Sequence, residues 1–396
     1  MERFDFVSRQ LDELKEAKLL RSCVCIDSVK GVIVKINGEE KLLFCSNNYL
    51  SLAAHPQIAE AVVHAVREYG YGAGASRLLS GTTRQHVELE DRLAAFLQKQ
   101  AAIVFPSGWT ANEALLTTLP QKGDLILLDK FDHASIIDAA KASHAEFRTY
   151  RRDNLARLKR FLADNNYHHK HKFIVTESIF SMDGDTADLK TLVQLKRQLG
   201  ALLVVDEAHA VGCLGPTGAG FAEQMDLLGE VDIVVATMSK ALGATGGVVA
   251  SRKNVIDLLV NKARSFIYTT APSAANCAAV LTALDIVKAE PQRRLNLRNN
   301  AQYLRDRLQH LRLNTGRSFS HIIPVIIGDE DAALRVAGRL YEMGFFIVAI
   351  RPPTVPPGTA RLRISVQSDH TKSQLDELCR ALDKLIKKGL LPTLPD

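Results

Sequence analysis

The chain has 396 residues, 46% of them hydrophobic and 24% charged, which suits a soluble globular protein with one large and one smaller domain. Its formal charge of +6 is mild and scattered along the sequence. Short basic runs such as Arg148–Arg152 and residues 168–172 therefore read as solvated faces and not as a nucleic-acid track, though they leave room for an anionic substrate.

Residues 3 to 19 place Phe4, Val7, Leu11 and Leu14 at three- and four-residue steps, predicting an amphipathic helix. A hairpin follows, with Val32–Val34 and Leu42–Phe44 joined by Asn37-Gly38. From about 56 to 290, helical patterns alternate with apolar runs at Ala102–Phe105, Leu125–Leu128, Phe173–Thr176, Leu202–Val205, Ile233–Ala236 and Gly247–Ala250. Continuous apolar strands separated by helices predict a mostly parallel sheet covered on both faces. A helical stretch of about 272 to 312 leads to strands at Ile322–Ile327, Phe345–Ile350 and Leu362–Val366, with helices near 329–343 and 371–388. The expected organisation is an N-terminal helix and hairpin (1–55), a large domain (56–290) and a small α+β domain (291–396).

Six cysteines show no CxxC pair and no histidine at zinc-finger spacing, so free thiols are expected, with neither disulfides nor a metal site. Met1–Asp5 carries acids and no apolar leader, and no apolar stretch approaches the length of a membrane span. A cytoplasmic protein without membrane or nucleic-acid partners is the plain expectation.

Two strand ends draw attention. Ile233–Ala236 delivers a lone lysine, Lys240, into the turn Gly243–Gly247. A lysine among apolar groups has its charged form disfavoured, which frees the amine for Schiff-base chemistry. Leu202–Val205 delivers Asp206 and, three residues on, His209. A carboxylate and a lysine at the ends of neighbouring strands suit the ring nitrogen and aldehyde carbon of pyridoxal phosphate. Pro106–Asn112 is a small-residue turn opening a helix, a good phosphate site or an ordinary strand-to-helix turn. His133 either stacks on a ring or caps a helix, and the Ser181 hydroxyl lies in a comparable position after Thr176.

Asp206-Glu207-Ala208-His209 also spells a helicase box, but the chain has no GxxxxGK[ST] loop. Gly70–Arg77 follows a helical segment and not a strand, so the dinucleotide-binding context fails. Asp183-Gly184-Asp185 lacks the spacing of a calcium loop.

Taken jointly, Asn47–Leu50, Gly81–Thr83, Ser107–Asn112, Asp132–Ser135, Ser181–Gly184, Asp206–His209 and Thr237–Lys240 resemble the α-oxoamine synthase family of fold-type I pyridoxal phosphate enzymes. Trp109, where Phe or Tyr is commoner, and Gly74-Ala75-Ser76, less glycine-rich than in many relatives, are slight departures. The resemblance implies an aspartate aminotransferase-like α/β fold, with a seven-stranded sheet in the large domain and a smaller C-terminal α+β domain. It also implies a homodimer with its active site at the interface, where hydroxyls near Tyr268–Thr270 reach the neighbour's phosphate.

By the same resemblance Lys240, His133, Asp206 and His209 are the catalytic set. Gly108, Trp109, Ser181 and Thr237 join them in holding pyridoxal 5'-phosphate. Arg351 matches the cation that grips the substrate carboxylate, and Arg21, Asn47 and Thr354 match positions lining the acyl substrate site. The segment Ile350–Arg363 looks most like the family member that condenses L-alanine with a pimeloyl thioester, on coenzyme A or an acyl carrier protein, in biotin synthesis. Glycine C-acetyltransferase, 5-aminolevulinate synthase and serine palmitoyltransferase are the alternatives within the family. A non-catalytic subunit on the same fold is the rival from another class, and it would have no need of Lys240, Asp206, His133 and His209 together.

Overall fold

The computed structural model describes residues 3–163 and 169–395, so His168 of the second basic run lies outside the described residues. Helix α1 (Asp5–Glu16) opens the chain with an acid in its first turn and Lys15 in its last, matching the helix dipole. None of its residues is buried, and Phe4, Val7, Leu11 and Leu14 are all exposed. The apolar face expected from their spacing therefore exists, but nothing among the described residues covers it.

Strands β1 (Ser28–Lys30), β2 (Ile33–Ile36) and β3 (Glu39–Leu43) form an antiparallel meander. Asn37 and Gly38 both take positive φ between β2 and β3, the backbone that matches the strand twist in a two-residue turn. The next elements are α2 (Pro56–Tyr69), α3 (Arg84–Phe96), β4 (Ala101–Phe105), α4 (Gly108–Thr118), β5 (Leu125–Asp129), α5 (Ala134–Ala142), β6 (Glu146–Tyr150) and α6 (Ala156–Ala163). Then come β7 (Lys172–Glu177), α7 (Leu189–Leu199), β8 (Leu202–Asp206), α8 (Phe221–Gln224), β9 (Ile233–Thr237) and β10 (Gly247–Ser251).

Among the described residues these strands form a seven-stranded sheet in the order β4-β10-β9-β8-β7-β5-β6, with β10 alone antiparallel to its neighbours. Both faces are covered. Leu125, Leu127, Leu203 and Val205 pack into one core, while Ile126, Leu128 and Val204 between them pack into the other. This is why the strands read as unbroken apolar runs. Strand β6 is the exception: Glu146-Phe147-Arg148-Thr149-Tyr150 lies at the edge, half-buried for most of its length, and gave no apolar run to recognise.

Helices α9 (Lys253–Lys262), α10 (Arg264–Ile267), α11 (Ala274–Ala289) and α12 (Pro291–His310) follow. The helical stretch expected over 272–312 is two helices, because Pro291 has no N–H to donate and pushes Glu290 out of helical geometry. The remaining elements are β11 (Ile322–Gly328), α13 (Glu330–Glu342), β12 (Phe345–Phe346), β13 (Val348–Ile350), β14 (Ala360–Ser365) and α14 (Lys372–Lys387). The single strand expected over 345–350 is divided between two sheets. Its first part, β12, runs parallel to β3, and its second part, β13, pairs with β14 in the order β11-β14-β13.

Candidate active site

Strands β4, β5, β7, β8 and β9 run in one direction, so their carboxyl ends share one edge of the sheet and hand on the turns that carry polar side chains. Lys240 lies just beyond β9 and His209 just beyond β8, and the amine stands 2.9 Å from His209 Nε2. The other imidazole nitrogen, Nδ1, is 2.7 Å from the Tyr49 hydroxyl, which in turn lies 2.9 Å from Asn47 Oδ1. Arg363 Nη2 donates to the same Oδ1 at 3.3 Å.

An amide oxygen only accepts, so Tyr49 donates to Asn47 and His209 Nδ1–H donates to Tyr49. That assignment leaves His209 Nε2 as a bare acceptor for an N–H of Lys240. Burial, reinforced by the charge of Lys240, holds His209 well below the usual histidine range and therefore neutral. Burial also lowers Lys240, while Asp206 and Glu177 act in the opposite direction.

Asp206 ends β8 and is buried. Asn112, on α4, donates to its Oδ2 at 2.9 Å, and the backbone N–H of Ala208 donates to Oδ1 at 2.9 Å. The second Nδ2 hydrogen of Asn112 reaches Ser135 Oγ at 3.0 Å, and that hydroxyl lies 2.8 Å from His133 Nδ1. His133 is exposed, and its ring meets that of Trp109 edge-on, with centroids 6.1 Å apart and planes at 79°.

Beside Asp206 in register across β7 and β8 lies Glu177, also buried. Its Oε2 has no partner among the described residues. Burial and the neighbouring Asp206 push its carboxyl up to about 8.

Ser107 caps α4, accepting from Thr110 N at 3.1 Å. The amides of Gly108 and Trp109 then open the helix without intrahelical acceptors. A side chain on Gly108 would stand 3.5 Å from Thr237. Gly247 of β10 approaches this turn so closely that a Cβ there would come within 2.5 Å of the Ser107 carbonyl. The Thr237 hydroxyl donates to Gly246 O at 2.9 Å and lies 2.8 Å from Ser239 Oγ. Amine, buried carboxylate and bare helix start thus sit at one sheet edge. They suit an aldehyde, a ring nitrogen and a phosphate, the three handles of pyridoxal phosphate.

Of the other expected residues, Ser181 is tied in through its carbonyl, which accepts from Arg363 Nε at 2.6 Å, and Asn47 joins the Tyr49 cluster directly. Arg351 instead donates to the Lys18 carbonyl just beyond α1, at 2.5 Å, and Thr354 is exposed, its N–H bonded to Arg351 O at 3.1 Å. Arg21 is exposed in the irregular segment after α1. Neither Arg351, Thr354 nor Arg21 meets the Lys240 cluster among the described residues. Tyr49, Asn112 and Arg363 do meet it or its Asp206 side, yet sequence reading gave them no role.

The family model for class I and II aminotransferases matches residues 39–382. The chain belongs to that family. Within it, the chain stands in the α-oxoamine synthase branch, with the fold-type I architecture. It is 42% identical over 384 residues to the 8-amino-7-oxononanoate synthase of Geobacter sulfurreducens, covering 96% of this chain and 98% of the relative. A lysine-to-alanine variant of serine palmitoyltransferase from S. paucimobilis, with a bound PLP–myriocin aldimine, superposes with a TM-score of 0.92 at 30% identity, covering 98% of this chain and 99% of that one. The 8-amino-7-oxononanoate synthase of Francisella tularensis superposes with a TM-score of 0.76 at 29% identity, covering 89% and 99%. Among the described residues no helix is long and apolar enough to cross a membrane.

Proposed function

We propose that this chain is a pyridoxal phosphate-dependent C-acyltransferase that condenses L-alanine with a pimeloyl thioester. The products are 8-amino-7-oxononanoate, carbon dioxide and the free thiol carrier, in a step of biotin biosynthesis. The observation that carries the reading is the part-buried Lys240 amine, held against a neutral acceptor nitrogen at the strand end next to Asp206. The full-length likeness to 8-amino-7-oxononanoate synthases supports the choice of substrates.

When bound, pyridoxal phosphate supplies a carbonyl carbon for amine capture and a protonated ring that draws electrons from the substrate α-carbon. The amides of Gly108 and Trp109 would hold its phosphate, joined by the hydroxyls of Thr237 and Ser239 once these turn from their present partners. Asp206, oriented by Asn112, would keep the ring nitrogen protonated, since an adjacent anion favours that charge. His133 would cover one ring face, the Ser181 hydroxyl would donate to the ring oxygen, and His209 Nε2 would accept from that oxygen when it carries a proton. Lys240 Nζ removes the α-proton of alanine and later returns one. Between those events the α-carbon bonds to the acyl carbon, the C–S bond breaks to give the thiol, and the alanine carboxylate leaves as carbon dioxide.

The substrate carboxylate needs a fixed cation, and a guanidinium grips it through two parallel donors. Arg363, which already reaches Asn47 and Tyr49, is the cation at this cluster in place of Arg351, which bonds the Lys18 carbonyl, and Thr354, Asn47 and Arg21 serve the acyl side. The active form is a homodimer. Large apolar side chains left uncovered support it, among them Leu79 at 82% exposure, Tyr71 at 79%, Tyr268 at 72% and the face of α1. A cytoplasmic location fits six cysteines that all remain thiols.

The test is a screen of alanine, glycine and serine against pimeloyl, acetyl and palmitoyl thioesters, with products identified by mass spectrometry. Alanine with pimeloyl should dominate. Preference for glycine with acetyl coenzyme A, or for serine with palmitoyl coenzyme A, would overturn the substrate assignment.

A further inference from the structure

The turn over residues 180–185, which follows β7 and carries Ser181, is held by its backbone before any charge is counted. Phe180 N donates to Asp185 O at 3.0 Å, and Gly184 N donates to Phe180 O at 2.8 Å. Gly184 takes a φ of +65°, and a side chain there would collide with the carbonyl of Ile322, so only glycine lets the turn press on the start of β11. The Gly184 carbonyl also accepts from the backbone N–H groups of Phe319 and Ser320, at 3.0 and 3.1 Å.

Ion pairs add a second attachment. Arg361 and Arg363 lie two residues apart on β14 and so share one face of the strand. Arg363 Nε donates to the Ser181 carbonyl at 2.6 Å, and Arg361 Nη1 pairs with Asp183 Oδ1. Turn and strand are thus joined by two rungs, spaced two residues apart on each side. One rung alone would leave the Arg363 fork free to swing, and the second fixes it. Asp183 Oδ2 accepts in turn from Arg152 Nη2 at 3.0 Å. Arg152 stands just beyond β6, reaches Asp185 at 2.8 and 2.9 Å, and lays its guanidinium on the Phe180 ring at 3.8 Å from the centroid. Arg361 is 4% exposed, and Asp183 is its only carboxylate partner among the described residues. Asp183 therefore bridges two guanidinium groups, one beside the seven-stranded sheet and one in the three-stranded sheet.

We propose that Asp183 is a positioning residue for the amino-acid substrate: through Arg361 and Arg152 it sets where the Arg363 guanidinium stands relative to Ser181, and so relative to the cofactor ring. The inference rests on the roles given above to Arg363 and Ser181. It gives Asp183 no contact with substrate or cofactor, and the backbone attachments of the turn leave its two ion pairs free for this purpose.

The test is alanine binding to the cofactor-loaded enzyme, followed by the change in cofactor absorbance, which needs no acyl donor. In Asp183→Asn the Kd for alanine should rise at least about tenfold, the scale of weakening one charge-assisted grip. KM for the pimeloyl thioester at saturating alanine should stay within about twofold of the parent, since that grip belongs to the other substrate. Asp183→Asn leaves Arg361 buried without a carboxylate, so the double variant Asp183→Asn, Arg361→Gln serves where the single one does not fold, and it should show the same loss. A lower melting temperature with alanine affinity unchanged would overturn the proposal, because the pairs would then only stabilise the fold. An equal loss for the pimeloyl thioester would overturn it too. A parent whose absorbance responds to glycine or serine and not to alanine would overturn the substrate reading instead, and the positioning role then stands or falls on the same comparison made with that amino acid.

Discussion

The Lys240 amine lies 2.9 Å from an imidazole nitrogen of His209 that can only accept, because Tyr49 and Asn47 fix the proton on the far side of the ring. A lysine so placed keeps one N–H occupied and its lone pair directed elsewhere once it is neutral. Lys240→Ala should lower turnover at least about 10³-fold, the scale of losing a positioned base, while pyridoxal phosphate still binds weakly. Product formation and cofactor absorbance check this. Borohydride trapping on the parent, followed by peptide mapping, should place the label on Lys240, and a label on another lysine would refute the assignment.

Asp206→Asn should reduce kcat on the order of 10²-fold with a smaller effect on cofactor affinity, since the carboxylate acts on ring charge more than on attachment. Asn112→Ala leaves the carboxylate intact but removes one of its donors, a loss of roughly 1–3 kcal/mol. Its signature should be weaker cofactor binding with a milder fall in kcat. Equilibrium dialysis and steady-state rates separate the two variants.

Arg363→Met removes the donor to Ser181 O and to Asn47 while keeping a long apolar stem in the strand. Charge-assisted hydrogen bonds are worth about 1.5–3 kcal/mol, so kcat/KM for alanine should fall by about 10- to 100-fold. KM for the pimeloyl thioester should change little. Equal losses for both substrates would mean that Arg363 only holds the turn.

His370 offers a stability test. Its Nε2 faces the Leu43 carbonyl at 3.2 Å, its Nδ1 accepts from Gln367 N at 2.9 Å, and its ring stacks on Phe44. Burial lowers it to about 4 from an ordinary 6.5. The unfolded chain therefore takes up the proton first as pH falls. This contribution is complete above about pH 6.5 and is lost as pH drops through that value toward 4, by roughly 3 kcal/mol in all. Urea titrations across this window should show a shallower pH dependence in His370→Gln than in the parent.

Leu79→Asp places a charge on one of the most exposed large apolar side chains. Light scattering should find a larger monomer fraction than in the parent, with a loss of specific activity that concentrating the protein partly restores. A parent that is monomeric at working concentration would end the dimer reading.

The residues that were legible in the sequence share one feature. Lys240, Asp206 and His209 each follow an apolar run that has no other reason to end in a lone polar group. Arg361 and Arg363 hid behind the opposite pattern. They alternate with Leu362 and Ile364 and read as the wet face of a strand, yet both are buried against the turn carrying Ser181 and Asp183. Tyr49 and Asn112 were visible only as parts of motifs, because His209 lies 160 positions from Tyr49 and Asp206 lies 94 from Asn112, and a spacing rule cannot reach that distance. Strand β6 escaped for a simpler reason: an edge strand need not be apolar. The α1 face was legible as amphipathic, but periodicity does not say whether its cover belongs to the same chain.

The pairing of β3 with β12 joins residue 42 to residue 345. A nascent chain carries the β3 edge bare until nearly nine-tenths of it has been synthesised, and exposed edges recruit other chains. Fragments that stop after α12 should therefore precipitate when expressed alone, and a peptide spanning β12 and β13, added in trans, should raise their soluble yield.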